Sequence, residues 1–365
     1  MNNNIKVCHF TSLHNRYDTR VYIKQCCSLA SYGYDVYLIV ADGLGNEEKN
    51  KVKIKDIGRR QGGIKRLIST NKKILKMALS LGANYYFFHD PELCLQAKSL
   101  VKHGKKVFYD AHEDSPRQFL TNSKKNKWVS KFIASRIERL ENSTVKNLSG
   151  VLTATKGIKE RYDHFNSNVT VIRNFPIIAE LSNNNSWESR KHQACYIGGL
   201  RNTRGIEEIV KACDKADLPL VIAGPWQPPS FGEEIIKLEE WKNVEYLGVI
   251  SREEVQKLLA NSKIGFLTLY KTPNHVHSLP IKLFEYMIGG IPFIASDIPD
   301  WIEIVDKYNC GICVDPKNVN EIVEAINLIL ANPEKSYHMG QGGKKAVNEG
   351  LSWDVEFQKI DALLG

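Results

Sequence analysis

Apolar and polar positions alternate along the first half of the chain in blocks typical of strands and helices that follow one another. Short apolar runs predict strands, and longer stretches with helical spacing predict the helices between them. The predicted strands are Ile5–Thr11, Asp35–Ala41, Tyr85–His89, Lys106–Tyr109, Gly150–Ala154 and Val169–Ile172, and the predicted helices are Asp18–Tyr32, Ile64–Leu81 and Val129–Asn147. This order predicts βαβ units around a parallel sheet.

The same alternation starts again after a polar segment at 176–190, which we interpret as a linker. The strands predicted beyond it are Gln193–Ile197, Leu218–Ala223, Val244–Leu247, Ile264–Leu269 and Pro292–Ala295, and the helices are Gly205–Ala216, Lys282–Gly289 and Asn320–Ala331. We therefore predict an N-terminal Rossmann-like domain at 1–175, a C-terminal one at 176–345 and a final helix at 346–365. Ligands bind beyond the carboxyl ends of the strands in such sheets, so polar residues there are site candidates.

Composition narrows the class of protein. A chain of 365 residues that is 42% hydrophobic suits two folded domains. No run approaches the roughly 18 apolar residues of a membrane span, and the N-terminus lacks the pattern of a signal peptide. We therefore expect a cytoplasmic protein, at most peripheral on the inner face of the cell membrane. Cys310 and Cys313 lack the further ligands that structural zinc needs, and we interpret them as buried apolar residues.

Charge is distributed unevenly between the halves. Residues 1–175 hold 31 Lys and Arg against 15 Asp and Glu, whereas residues 176–365 hold 19 against 26. A cationic half favours an anionic partner, either lipid head groups or a pyrophosphate-bearing substrate, or it serves solubility alone. No nucleic-acid-binding motif is present, so we expect no nucleic acid partner. The basic stretch Lys124–Glu141, with Trp128 and Phe132 at helical spacing, fits an anionic membrane surface or a core-facing helix.

Two segments of the second half can bind the phosphates and ribose of a nucleotide. In YIGGLRNTRG (196–205), a Gly-Gly turn at Gly198 and Gly199 joins a strand to a helix start, where backbone amides favour phosphate. Arg201 and Arg204 add charges that can grip phosphate. The structural alternative is an ordinary turn with two surface arginines.

The second segment is SLPIKLFEYMIGG (278–290), in which Pro280 suits the first turn of a helix. Lys282 and Glu285 share one helix face, where the ammonium could meet phosphate and the carboxylate could accept two hydrogen bonds from a ribose diol. The alternative is an i, i+3 ion pair. Further back, the strand end at Gly248 and Val249 could place backbone against a planar base.

Polar residues follow three predicted strands of the first half. The motif FHDPEL contains His89 and Asp90, YDAHED contains His112 and Glu113, and the first strand–helix turn holds His14, Asp18 and Arg20. Imidazoles and carboxylates exchange protons near neutral pH, which suits an acceptor site. The alternatives are a buried structural histidine, a solvated loop and, for Asp18, a charge at a helix N-terminus.

Together these motifs resemble family 4 of the glycosyltransferases. The resemblance covers nearly the whole chain and is carried by SLPIKLFEYMIGGIPFIASD, YIGGLRNTRGI, VEYLGVISREEVQKLL and HDPEL. It implies an α/β GT-B fold, with two Rossmann-like domains facing a central cleft and a C-terminal helix crossing back to the first domain. It also implies a retaining hexosyltransferase of the bacterial branch that builds surface polysaccharides.

The resemblance assigns roles to the site residues. Glu285 matches the second Glu of the E-x7-E motif and would bind the donor ribose, Arg204 and Lys282 would bind its diphosphate, and His89 would lie beside the transferred sugar. We take these four as the catalytic set. The backbone of the residues before Glu285 would line the donor site, at Ser278, Leu279, Pro280 and Ile281. The chain departs from the family at His277, where the first Glu is expected, and at Gly199, where an Arg is usual.

The absence of any D-x-D motif predicts that no metal bridges the diphosphate, and we expect no cofactor. Arg204, Lys282 and helix-end amides would stabilise the leaving group instead. The predicted donor is a nucleotide sugar, with UDP as the nucleotide, and the predicted acceptor is a lipid-linked saccharide. Two alternatives remain open, a nucleotide-sugar epimerase of the same fold and, because of His277, a non-catalytic binding subunit.

Overall fold

The computed structural model describes residues 5–63, 66–123, 126–182, 185–272, 275–276 and 278–365, so His277 lies outside the described residues. The chain forms two compact units. The first combines Met1–Asn174 with Glu356–Gly365, and the second is Phe175–Val355. The second division falls ten residues beyond the predicted domain end at 345, because a helix continues across that position.

The first unit is built on an eight-stranded sheet. Its strands are β1 (Lys6–Phe10), β2 (Asp35–Val40), β3 (Glu47–Lys49), β4 (Val52–Asp56), β5 (Tyr85–Phe88), β6 (Lys106–Ala111), β7 (Gly150–Thr153) and β8 (Val169–Val171). The order is β3-β4-β2-β1-β5-β6-β7-β8, with β3 antiparallel to β4 and the other pairs parallel. The hairpin of β3 and β4 was not predicted, because its charged residues hide the apolar alternation.

Helices connect these strands. They are α1 (Cys27–Ser31), α2 (Asn71–Leu81), α3 (Cys94–Lys102), α4 (Ser115–Asn122), α5 (Lys127–Val145) and α6 (Lys156–Asp163). A π-helical segment, Thr19–Cys26, precedes α1, another, Arg66–Thr70, precedes α2, and a 3-10 turn, Pro91–Leu93, precedes α3.

The second unit has a six-stranded sheet in which all the pairs are parallel. Its strands are β9 (Ala194–Ile197), β10 (Leu220–Ala223), β11 (Val244–Tyr246), β12 (Ile264–Leu267), β13 (Phe293–Ser296) and β14 (Gly311–Val314). They lie in the order β11-β10-β9-β12-β13-β14.

The helices of this part of the chain are α7 (Ile206–Lys215), α8 (Pro229–Ile235), α9 (Arg252–Asn261), α10 (Ile281–Gly289), α11 (Pro299–Tyr308), α12 (Val319–Ala331), α13 (Pro333–Glu349) and α14 (Trp353–Leu364). Short 3-10 segments are Ile178–Glu180, Asn202–Arg204 and Glu239–Asn243.

Helix α14 ends in the first unit, so the predicted return of the C-terminal helix is confirmed. The Tyr34 hydroxyl donates to Asp361 at 2.7 Å, and the Tyr85 hydroxyl donates to the carbonyl of Leu364 at 2.6 Å. The ring of Phe357 packs edge-on against Tyr32.

The segment predicted as a linker is anchored by a buried arginine. The guanidinium of Arg190 donates to the carbonyls of Leu259 and Ser262 at 2.7 and 3.0 Å, and to those of Gly289 and Gly290 at 2.8 and 3.2 Å. These carbonyls lie at the C-terminal ends of α9 and α10, where the last turn of a helix leaves carbonyls without partners. Burial lowers the pKa of Arg190 to about 10. One side chain therefore joins the ends of two helices.

Candidate functional site

Both sheets contain a point where the strand order reverses. In the first unit it lies between β1 and β5, and in the second between β9 and β12. Chain segments leave such a point in opposite directions and open a crevice at the carboxyl ends of the strands, where ligands bind. His14 follows β1, His89 follows β5 and Gly198 follows β9. The topology therefore puts predicted site residues of each unit at its reversal point.

A buried histidine–aspartate cluster, consisting of His9, His89, Asp110, Arg20 and His112, lies at the carboxyl ends of β1, β5 and β6. His89 Nδ1 lies 3.1 Å from Asp110 Oδ2, and His89 Nε2 lies 3.1 Å from His9 Nδ1. Because the carboxylate only accepts, His89 donates from Nδ1 and its Nε2 accepts from His9. The His89 side chain has no exposed surface, so both of its ring nitrogens serve the cluster.

Asp110 is the centre of this cluster. Arg20 donates to its two oxygens at 2.6 and 3.0 Å, and Gln25 donates to Oδ2 at 2.6 Å. Burial alone would raise the pKa of Asp110, but Arg20 and the two neighbouring histidines hold it well below its usual value. Burial lowers the pKa of His89 and that of His9, so both rings are neutral at neutral pH.

The loop after β1 is held by two of the predicted acceptor residues. Asp90 Oδ2 accepts from the Thr11 hydroxyl at 2.8 Å and from the Ser12 amide at 2.6 Å. Asp18 caps the segment Thr19–Cys26 by accepting from two backbone amides, which is the helix-charge role considered for it. Burial raises the pKa of Asp18, but hydrogen bonds from His14 and these amides lower it below its usual range.

A cavity of about 470 Å³ opens beside the cluster in the first unit. Its polar wall carries His14, His112, Glu113 and Gln118, and its apolar wall includes Phe119 and Ile137. The ring nitrogen Nδ1 of His112 lies 3.2 Å from the Asp110 carbonyl, which leaves its Nε2 as an acceptor. The histidines that present ring atoms here are therefore His14 and His112, whereas the ring of His89 is enclosed.

His89, Asp110 and His112 offer nitrogen and oxygen atoms within 4.8 Å of one another, a spacing that a metal ion could bridge. The Asp110 oxygens already accept hydrogen bonds from Arg20 and Gln25. A cation here would meet the guanidinium charge at close range. The arrangement fits a hydrogen-bonded network better than a metal site.

In the second unit, two cationic side chains meet beneath the turn after β9. Gly198 has φ +134°, and a Cβ there would overlap the side chain of Lys282. The Arg204 Nε is buried without a hydrogen-bond partner among the described residues. Burial and the charge of Arg204 lower the pKa of Lys282. The charge of Glu285 acts in the opposite direction on Lys282, but Glu285 also pairs with Arg252. Two neighbouring cations are suited to binding an anion.

Glu285 lies one turn into α10 with its side chain 10% exposed. Its Oε1 accepts from Arg252 Nη1 at 2.7 Å. Arg252 is a neighbour of Glu285 that the sequence did not indicate, since the two are 33 residues apart along the chain. The local signal was an arginine at the first position of a helix, where a cation opposes the helix dipole.

Other predicted donor residues lie around these groups. Arg201 Nε donates to Gln227 at 2.6 Å, and this amide also lies against Gly199. Gly248 has φ +68°, its carbonyl accepts from the Gly224 amide at 2.6 Å, and Val249 is 77% exposed.

The loop before α10 is fixed by Ser278, whose carbonyl accepts from Trp301 Nε1 at 2.7 Å. Pro280 precedes α10 as its N-cap and Ile281 is its first residue, while Leu279 packs on the core of the second unit.

Helix α5 exposes the aromatic residues that were candidates for either the core or a membrane surface. Trp128 is 81% exposed and Phe132 is 60% exposed, whereas Ala134, Glu141 and Val145 face the protein. The Arg136 guanidinium lies 5.0 Å from the centre of the Phe132 ring. The core-facing alternative is therefore wrong for Trp128 and Phe132. Within the described residues, no helix combines the length and the apolar character needed to cross a bilayer.

Comparison with known proteins finds a family match within the second unit. Residues 178–346 match the model of the family described as glycosyl transferases group 1. An uncharacterized glycosyltransferase, MJ1607 of Methanocaldococcus jannaschii, is 26% identical over 225 residues, which are 56% of each chain. O-antigen chain mannosyltransferase C of Escherichia coli is 24% identical over 162 residues, 44% of this chain and 42% of its own. The chain spans about half the length of such curated relatives.

Solved structures resemble the whole chain. Anabaena Alr3699/HepE, in complex with UDP and glucose, superposes with a TM-score of 0.73 over 99% of both chains at 13% identity. WaaG, a glycosyltransferase involved in lipopolysaccharide biosynthesis, superposes with a TM-score of 0.67 over 99% of this chain and 100% of its own, at 13% identity. The predicted fold, GT-B with two Rossmann-like domains, is confirmed.

Proposed function

We propose that the chain is a retaining glycosyltransferase that moves a hexose from a UDP donor to a lipid-linked or saccharide acceptor in surface polysaccharide biosynthesis, of O-antigen or capsule. The observation that carries the proposal is the pair of neighbouring cations, Arg204 and Lys282, at the glycine turn after β9. The HepE complex with UDP supports the nucleotide, and the mannosyltransferase relative supports the class of product.

The donor site acts mainly through its electrostatics. Arg204 and Lys282 bind the diphosphate, and the charge that develops there as the sugar leaves is stabilised by groups already in place. Lys282 is partly withdrawn from water, which strengthens its interaction with phosphate. Glu285 accepts hydrogen bonds from the ribose hydroxyls, and the backbone at Gly248 and Val249 contacts the base.

The reaction proceeds by front-face attack. The acceptor hydroxyl oxygen forms a bond to the anomeric carbon while the bond from that carbon to the diphosphate oxygen breaks. The leaving phosphate takes the hydroxyl proton, so neither a protein nucleophile nor a metal is invoked. His89 positions the sugar, and because its ring is enclosed it does so through its backbone and through the cluster around Asp110.

The acceptor is held by the cavity of the first unit, where His14, His112 and Glu113 offer polar contacts to a saccharide. Phe119 and Ile137 extend the cavity with apolar surface on α4 and α5. The outer side of α5 carries Trp128 and Phe132 among cations, which suits an anionic membrane at which a lipid-linked acceptor resides. The protein would then be peripheral on the inner face of the cell membrane.

Incubation with UDP-sugars and GDP-sugars tests the reaction. We expect release of one of the two nucleotides and transfer of the sugar to a lipid diphosphate saccharide. NMR of the product should show the same anomeric configuration as the donor. Glu285→Ala should lose most of the activity, while Glu324→Ala, at an exposed site on α12, should retain it. Full activity of Glu285→Ala would contradict the site. Release of a rearranged free nucleotide sugar would support the epimerase, which the named relatives do not favour.

Sedimentation with vesicles tests the membrane surface. Trp128→Ala with Phe132→Ala should reduce binding to vesicles containing anionic phosphatidylglycerol by about tenfold or more, since each buried aromatic adds about 1.5–3 kcal/mol. Leu328→Ala, at an exposed apolar site of the second unit, should bind like wild type. Equal binding of neutral and anionic vesicles would contradict the role of the cations.

A further inference from the structure

Arg252 occupies an electrostatically unfavourable place that its own helix does not explain. It is the first residue of α9, where the helix dipole repels a cation. The helix start itself is secured by a capping box, in which the Ser251 hydroxyl accepts from the Glu254 amide and Glu254 accepts from the Ser251 amide. The backbone of Arg252 is thus fixed by its neighbours, and its side chain is free to serve another element.

The guanidinium of Arg252 lies between two carboxylates, those of Glu285 and Glu180. Nη1 donates to Glu285 Oε1 at 2.7 Å, and Nη2 donates to Glu180 Oε2 at 3.1 Å. Glu285 accepts with one oxygen only, since the described residues provide no hydrogen bond to its Oε2. Arg252 therefore fixes the orientation of the carboxylate and leaves the second oxygen available to a ligand.

The same arginine lies close in sequence to the proposed base-binding turn. Gly248 and Val249 precede it by four and three residues, and the turn is held by the hydrogen bond from the Gly224 amide to the Gly248 carbonyl. One residue thus connects the backbone proposed to contact the base with the carboxylate proposed to contact the ribose. These two contacts lie on one nucleoside, so the spacing between them matters.

We infer that Arg252 is a positioning residue that aims Glu285 at the ribose diol and so sets the preference of the donor site for ribonucleotides. The inference rests on the proposed function, because it needs Glu285 as the ribose ligand. An arginine that is 49% exposed contributes little to stability through its ion pairs, so a purely structural role predicts a small effect of its removal.

The ratio of affinities for UDP and 2′-deoxy-UDP, measured by calorimetry, tests the inference, with GDP and 2′-deoxy-GDP run in parallel. Loss of a hydroxyl bonded to a carboxylate should weaken binding of the deoxynucleotide to wild type by about tenfold or more. In Arg252→Ala this ratio should fall below about threefold, and Arg252→Lys should recover part of it. A general loss of affinity with an unchanged ratio is what a merely structural role predicts.

Two further variants separate failure of the inference from failure of the function. Glu285→Ala should abolish the ratio, and Lys211→Ala, which removes an ion pair on α7 of the same unit, should preserve it. If Glu285→Ala abolishes the ratio and Arg252→Ala keeps it, the inference is wrong and the function stands. If wild type binds UDP and 2′-deoxy-UDP equally, or if Glu285→Ala keeps the wild-type ratio, then Glu285 does not contact the ribose. In that case both the inference and the proposed donor site are wrong. Thermal unfolding confirms that each variant is folded.

Discussion

The charged side chains at the two reversal points of strand order are paired differently. In the first unit, Asp110 is enclosed by Arg20 and hydrogen-bonded neighbours, so the buried charges satisfy one another. In the second unit, Arg204 and Lys282 lie close enough for their charges to repel, and the carboxylate that offsets this, Glu285, also pairs with Arg252. The first arrangement pairs the Asp110 carboxylate with a guanidinium, whereas the second brings two cations together. Related topologies can therefore carry a hydrogen-bonded ion pair in one place and the proposed binding site for an anion in another.

The largest effect should come from removing the charge of Asp110 from the histidine–aspartate cluster. Asp110→Asn leaves the Arg20 guanidinium buried without its counter-ion, which should destabilise the first unit by about 3–5 kcal/mol. Hydrogen exchange read by mass spectrometry should show lost protection in β1 and β5 but not in β9 and β12. Asp163→Asn, in an exposed pair with Lys159, should cost less than about 1 kcal/mol. Equal protection in Asp110→Asn and wild type would remove the contrast between the units.

The next largest effect should come from removing Lys282, and it should change ligand affinity rather than stability. Lys282→Ala removes a cation that burial already disfavours, so the unliganded protein should be no less stable than wild type. Its affinity for UDP should fall by about 10–100-fold, since a hydrogen bond to a charged group contributes about 1.5–3 kcal/mol. Calorimetry and thermal unfolding measure the two quantities. A Lys282→Ala protein that binds UDP normally would contradict the diphosphate site.

A smaller effect should follow acidification. Burial lowers the pKa of His9 and that of His89, so below their unfolded value of about 6.5 the unfolded chain binds more protons than the folded one. Stability of the first unit should fall by up to about 1.4 kcal/mol per histidine for each pH unit between pH 6 and pH 5. The pKa of His14 is raised, since Asp18 and Asp90 outweigh the effect of burial, so its contribution is already complete below pH 6.5.

Denaturant unfolding at pH 7.5, 6.0 and 5.0 measures how stability depends on pH. Hydrogen exchange at each pH shows which of the two units loses stability. His9→Phe keeps a ring to stack on Phe87 and should remove about half of the slope. A first unit that is equally stable at pH 6.0 and pH 5.0 would show that the enclosed rings are not neutral.

Most of the fold was predictable because strand and helix periodicity is local. The strand ends predicted from that periodicity, His89 and Ile197, lie within one residue of the observed ends at Phe88 and Ile197, and they indicated the regions of the two candidate sites. Side-chain direction was not predictable in the same way. Trp128 and Phe132 have the same helical spacing on a buried face as on an exposed one, and only the packing of α5 places them outside.

Contacts between distant residues were also beyond the sequence. His9 and His89 meet across 80 residues because β1 pairs with β5, and this pairing encloses the ring that was expected to face a ligand. Arg252 and Glu285 meet because α9 and α10 are neighbours in space. The motifs predicted which polar side chains lie at each strand end. The order of strands in the sheet determines which of those side chains are hydrogen-bonded to other residues of the protein.

The anchoring of Arg190 has a consequence for handling the protein. A fragment meant to represent the second unit that begins at residue 191 would discard the guanidinium that fills five carbonyl positions at the ends of α9 and α10. Since α10 carries Lys282 and Glu285, such a fragment would loosen the helix that bears the proposed donor contacts. Recombinant versions of this half should therefore start at Phe175, and protease sites or tags inserted between 185 and 190 should be avoided.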